Sequence, residues 1–300
     1  MHISRTKIID IIKVLSATII LTVVILWWLQ KTGEQKSDSF FVDYLNSGDI
    51  TPAINEETWI HGAAPSVDIN QFCQIKWVLC QKVNFIGDFN SQEKVKYLGN
   101  EDTITTFIST KNAQKREFLW SLSGIVINEN EGKRWYATHN NVVINIGNIL
   151  SNDEFNQIST HELGHIVDLW FLQWNDPIKD TNYTEFNKAV FAKNDPSLYY
   201  YALSRDSETI RKANAKKQDF CSTYGMTDPF EDFAECFNLY VNHNKLFKFL
   251  WQQDITLWRK YNFLASLFKG NYLISDTANI KLFKNKVNER VWDTTKLSIK

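Results

Sequence analysis

Two histidines with a glutamate beside the first stand in the run His161-Glu162-Leu163-Gly164-His165. Helical periodicity surrounds them, and on a helix residues four apart lie one above the other on one face. Imidazoles placed this way can close on one Zn²⁺ at about 2.0–2.1 Å each. The Glu162 carboxylate then stands where it can take a proton from a metal-activated water. The bland alternative is a surface helix turn carrying two unrelated histidines.

A catalytic zinc needs a third protein ligand and one open position. The segment Ser222-Thr223-Tyr224-Gly225-Met226-Thr227-Asp228-Pro229-Phe230-Glu231-Asp232-Phe233-Ala234-Glu235 offers two carboxylates one helical turn apart. Glu231 and Glu235 share a face, so one can bind metal while the other reaches the second ring nitrogen of a ligand. Capping explains the same spacing without metal: Asp228 at the N-cap, Pro229 at the first helical position and Glu231 at the third. Both readings of Glu231 stay open on the residues alone.

The elements that must position these groups read as follows. Glu101–Thr110, rich in Thr and Ile, resembles a strand, and Phe72–Val83 fits either a strand pair or a short helix. Phe118–Asn128, Arg134–Thr138 and Asn141–Gly147 read as successive strands, with a turn at Asn130-Glu131-Gly132-Lys133. An ordinary antiparallel meander accounts for them; an edge strand among them could also pair with an extended peptide. Ser151 and Glu154 are spaced as a capping box for a helix over about 152–173 that carries both histidines. Gly164 is costly in a helix interior, which points to close packing there, the facing strand being one candidate.

Beyond Pro177, Lys188–Lys193 and Ser207–Lys217 look helical, and Tyr199-Tyr200-Tyr201 reads as packing more than as a substrate wall. Phe230–Asn242 and Lys245–Phe268 continue as helices. The last thirty residues fit a strand or a docked tail and carry no functional signal. The fold class expected is α+β: a zincin-like metallopeptidase domain, with a small twisted sheet over the histidine helix and a helical C-terminal half.

Here the order of motifs resembles a known family. HELGH followed by Val167-Asp168, a Tyr224-Gly225 pair and, seven residues after the tyrosine, Glu231-Asp232-Phe233-Ala234-Glu235 is similar to the catalytic domain of anthrax lethal factor and the Pro-Pro endopeptidases, zinc metallopeptidases of the gluzincin type. The resemblance covers roughly residues 140–240. It implies His161, His165 and Glu231 as ligands of one Zn²⁺ per chain and Glu162 as general base. It implies Tyr224 as oxyanion donor and Glu235 as support behind a ligand. Asp168 could orient His165 or be a surface charge.

The first residues are of another kind. Val14–Leu29 is uncharged and ends in Trp27-Trp28, with Arg5, Lys7 and Lys13 before it and Lys31 and Lys36 after. Extended back to Ile8, the run reaches the length of a membrane span, with Lys13 snorkelling and the tryptophans at the far boundary. No A-x-A-like site follows, which favours an uncleaved anchor over a secretory signal; a secreted protein after signal cleavage is the alternative. Residues 1–36 thus read as anchor (span about 8–29) and tether, and 37–300 as the metallopeptidase domain. The basic residues place the N-terminus in the cytoplasm and the domain outside it.

Cys73, Cys80, Cys221 and Cys236 suit that compartment as the pairs 73–80 and 221–236, or stay as buried thiols. A formal net charge of −1, with no basic stripe, excludes a nucleic-acid-binding surface. The expected function is a membrane-anchored zinc endopeptidase acting on protein or peptide segments, its partners being that substrate and the lipid bilayer. A non-catalytic zinc- or partner-binding module of the same fold is the alternative.

Overall fold

A computed structural model describes residues 68–298 except 115, 131–134, 139, 174–176, 185–187 and 285. These residues all fall in one unit. The expected anchor and tether, residues 1–36, and the beginning of the expected domain from residue 37 lie outside them. Among the described residues no helix is long and apolar enough to cross a membrane.

The described residues open with α1 (Ile69–Ile75) and α2 (Trp77–Lys82), joined by the disulfide Cys73–Cys80. The ambiguous stretch Phe72–Val83 is therefore helical almost to its end. Strand β1 (Val83–Ile86) follows, then α3 (Ser91–Lys111).

Helix α3 corrects the strand expected at Glu101–Thr110. Asn90 and Glu93 form a reciprocal capping box, the side chain of each accepting the other's backbone N–H. Val95, Leu98, Ile104, Thr105 and Ile108 then bury one face at helical spacing. Burial along that face outweighs the few tenths of a kcal/mol by which each β-branched residue disfavours a helix.

Strands β2 (Gly124–Asn128), β3 (Trp135–Thr138) and β4 (Asn141–Asn145) complete a sheet of order β1-β2-β4-β3. It is not a meander. β1 and β2 run parallel, as do β2 and β4, and only the edge strand β3 is antiparallel to its neighbour β4. The parallel β1–β2 pair demands a crossover, and α3 supplies it. Phe118–Trp120 is a 3-10 turn, so the strand expected from Phe118 starts only at Gly124. Ile125, Ile127, Val142 and Ile144 are buried, every second residue facing the core.

Helix α4 (Asn152–Ile166) lies against β3 and β4 and continues as a π-helical turn, Val167–Phe171. Ser151 Oγ accepts the N–H of Glu154, a cap worth about 1 kcal/mol. The box is not reciprocal, because Glu154 turns to the N–H of Leu150 and to Lys296 instead. Past it the chain is largely irregular; Lys188–Lys193 and Ser207–Lys217 are bridges and turns, not the helices expected. Polar side chains there make turn contacts, as Asp180 does to the N–H groups of Asn182 and Tyr183. Among the described residues of that stretch α5 (Pro196–Tyr201) is the one α-helix; it buries Tyr200 and Tyr201 and leaves Tyr199 exposed, which favours packing over a substrate wall.

The C-terminal half holds α6 (Pro229–Asn242), α7 (Asn244–Trp251), α8 (Ile255–Leu267) and the short α9 (Ile280–Phe283). Asp254 caps α8 and so divides the single helix expected at 245–268. The last residues form no strand where described; they dock, with Gln157 donating to the carbonyl of Leu297 at 2.5 Å.

Helix α4 packs most extensively on α6. Gly164 makes the approach possible: a Cβ there would stand 2.9 Å from Phe237 Cδ1 and 3.3 Å from Ala234 Cα. The close neighbour is thus α6 and not the facing strand. Phe237 is fully buried and has nowhere to swing. Gly164→Ala is expected to destabilise the fold by about 1–3 kcal/mol, overpacking outweighing the ~1 kcal/mol gained in helix propensity. A urea midpoint equal to or above that of the unmutated protein would contradict this.

Candidate metal centre

Helices α4 and α6 face each other with their polar groups meeting at one point. His161 and His165, one turn apart on α4, direct their Nε2 atoms toward the same oxygen of Glu231, Oε2, at 3.1 and 3.6 Å. One ligand atom from each of the three residues lies within 4.8 Å of the others. In a tetrahedral site with ligand bonds of about 2.0–2.1 Å, donors stand about 3.3 Å apart. The two separations to Glu231 straddle that value. The donor set, two imidazoles and one carboxylate, is also one that zinc takes with a position left open. The residues fit the ion.

The two readings of Glu231 do not conflict. Asp228 caps α6, its Oδ1 accepting from the N–H groups of Phe230 at 3.0 Å and Glu231 at 2.9 Å. Capping engages only the backbone of Glu231, and its side chain is left to reach the histidines.

Behind the centre, Glu235 is fully buried and its Oε1 lies 2.9 Å from His161 Nδ1. A carboxylate there favours a proton on Nδ1 and leaves the Nε2 lone pair for a cation. The other oxygen, Oε2, accepts the backbone N–H of Thr294 at 2.7 Å. Burial pushes His161 toward its neutral form, but the hydrogen bonds and charges of Glu231 and Glu235 prevail and hold it well above its usual value. Burial would raise Glu231; the charges and hydrogen bonds of His165 and His161 win and hold it well below the carboxylate range. The site therefore draws positive charge, which a proton or a divalent cation can supply.

Glu162 follows His161 on α4 and is 1% exposed. Its charge acts on both neighbours across the site. At His165 burial lowers and Glu231 raises the pKa, with Glu162 adding to the rise; at Tyr224 burial and Glu231 lead and Glu162 adds. Tyr224 donates to Glu231 Oε1 at 2.8 Å. Its ring lies nearly parallel to that of His161, 22° off with centroids 6.3 Å apart. The disulfide Cys221–Cys236 ties the tyrosine's segment to α6. Closing a loop of this size is worth about 3 kcal/mol.

Asp168 stands elsewhere. It is fully buried, and Tyr201 donates to its Oδ2 at 2.5 Å; no hydrogen bond joins it to His165 among the described residues. The expected role in orienting that imidazole gives way to a place between the π-turn and α5. Burial, outweighing the hydrogen bonds it accepts, raises its pKa to about 8. An unfolded aspartate loses its proton near pH 4, so this group costs stability increasingly as pH rises from about 4 to about 8. Asp168→Asn, which keeps an acceptor for Tyr201, is expected to stabilise the protein by a few kcal/mol at pH 8 and little at pH 4.5. Equal gains at both pH values would contradict that origin.

A family model described as "Putative zinc-binding metallo-peptidase" matches residues 159–295. The match runs from two residues before His161, through α6, to the docked tail. It supports a zinc metallopeptidase. A metallopeptidase acts on proteins or peptides, and the mixed α/β architecture with a small sheet fits such a domain. No curated protein and no solved structure matches the chain.

Sequence reasoning missed two participants, the Thr294 N–H on Glu235 and the Trp292 side chain beside Tyr224. The first is a backbone group and leaves no signature in residue type. The second had a faint one, a bulky apolar residue just before Asp293, which caps the turn Thr294–Lys296.

Proposed function

We propose that this protein is a zinc-dependent endopeptidase of the lethal factor-like type, anchored in a membrane by its N-terminal segment with the catalytic domain outside the cytoplasm. The observation that carries the activity is the convergence of His161, His165 and Glu231, with the Tyr224 hydroxyl on the second Glu231 oxygen. The order of motifs supports the family type. The two disulfides support an oxidising compartment.

His161, His165 and Glu231 would hold the ion, and Glu235 would fix the His161 tautomer. When bound, zinc supplies a water acidified to a pKa of ~7 and polarises the peptide carbonyl. Glu162 takes the proton from the attacking water and later delivers it to the leaving amine. Tyr224, whose raised pKa keeps its phenol protonated, donates to the oxygen on which charge develops. Strand β3 is an edge of the sheet among the described residues, and an extended substrate can align along it.

Full-length protein supplied with zinc and a diverse peptide pool tests the activity. New termini that vanish on chelation and return with zinc are expected; an unchanged pool would refute the reading. Protons compete with the ion for His161 and His165, and the glutamates around them strengthen the protons' hold. Cleavage and zinc affinity should therefore both fall as pH drops, the loss setting in already above the ordinary histidine value of about 6.5. A rate that stays flat down to about pH 4.5 would contradict ligation by histidine.

A further inference from the structure

Beyond the catalytic groups, the docked tail presents one large apolar side chain at the centre's rim. Trp292 is 66% exposed. Its ring lies 6.1 Å from that of Tyr224, tilted 38°. His161, Tyr224 and Trp292 thus form a row of rings leading from the buried centre to the surface.

The backbone under Trp292 is tied on both sides. The N–H groups of Thr223 and Tyr224 donate to the carbonyls of Val291 and Trp292 at 2.8 and 2.7 Å. Two residues on, Thr294 bonds the buried Glu235, and Asp293 caps the turn that follows. The main chain is held on the tyrosine's segment and on α6 while the indole is largely exposed. Trp77 and Trp120 are also exposed, but on helix α2 and on the turn before β2. An indole left in water beside a rigid polar site fits the anchors that dominate recognition surfaces, large apolar faces with little entropy to lose.

We propose that Trp292 forms the wall of a substrate subsite and selects an apolar side chain, aliphatic or aromatic, close to the bond that is cut. An extended peptide advances about 3.3 Å per residue. With the scissile carbonyl at Tyr224, a ring 6.1 Å away meets a residue within about two positions of that bond. The inference rests on the peptidase reading and extends it to the class of residue chosen.

The test compares full-length protein with Trp292→Ala and Trp292→Phe on one zinc-supplied peptide pool, reading the cleavage sites by mass spectrometry. The unmutated protein should favour apolar residues at one fixed position within two of the cut. Trp292→Ala should lose that preference by tenfold or more while still cutting other peptides and keeping its zinc; Trp292→Phe should retain most of it. A profile from Trp292→Ala that matches the unmutated protein would overturn the subsite alone. No cleavage by the unmutated protein would overturn the peptidase reading and the subsite with it. If Trp292→Ala loses its zinc or its fold, Trp292→Gln takes its place: loss of the apolar preference in Trp292→Gln while Trp292→Phe keeps most of it supports the subsite, and a Trp292→Gln profile that matches the unmutated protein overturns it.

Discussion

Glu162→Gln is expected to lower peptide cleavage by about 10²–10⁴-fold while zinc content and fold stay as they were. Gln fills the same space on α4, and Glu162 is not among the three residues whose ligand atoms converge. What it loses is the capacity to accept a proton from water and return it to the amine. A variant that cuts within about threefold of the unmutated rate would remove Glu162 from the chemistry, whatever the metal content.

Glu231→Gln should also have a large effect, by a different route. Glu231 Oε2 is the oxygen at which both Nε2 atoms meet. Replacing it with an amide takes away the anionic ligand proposed, and zinc affinity is expected to fall by more than about 100-fold, with cleavage lost in proportion. Glu235→Gln provides the scale. It acts through His161 Nδ1, and support of that kind is worth about 10–100-fold in affinity. The expected order is therefore Glu231→Gln well below Glu235→Gln, which lies below the unmutated protein. Equal zinc content in all three would show that the ion, if bound, is held elsewhere.

The site was legible in the sequence where its geometry is local. His161 and His165 are set by one helical turn, and the cap at Asp228 could be read from Asp-Pro before an amphipathic run. The third candidate ligand, Glu231, lies seventy positions from His161. Spacing alone left Glu231 divided between cap and ligand; in the structure the cap takes its backbone N–H while its side chain faces the two histidines. Asp168 was misplaced because a π-turn follows His165, so the regular helical spacing that would set its direction does not hold there.

Fold elements were missed for comparable reasons. Thr and Ile at 103–110 argued for a strand, but Asn90 and Glu93 had already started a helix whose buried face uses those residues. The meander failed because hydrophobic alternation reports burial and not strand order. Nothing in residue type announces that β1 and β4 both pair with β2. The tail was silent because Thr294 serves through its backbone N–H.

The central claim is that one zinc ion, held at His161, His165 and Glu231, makes this chain a peptidase. Titration of chelator-stripped, full-length protein with zinc tests it most directly, with bound metal and peptide cleavage followed in the same samples. The account predicts that cleavage rises in step with occupancy and saturates at about one zinc per chain. Full occupancy without cleavage of any peptide in the pool, or undiminished cleavage by the stripped protein, would contradict it.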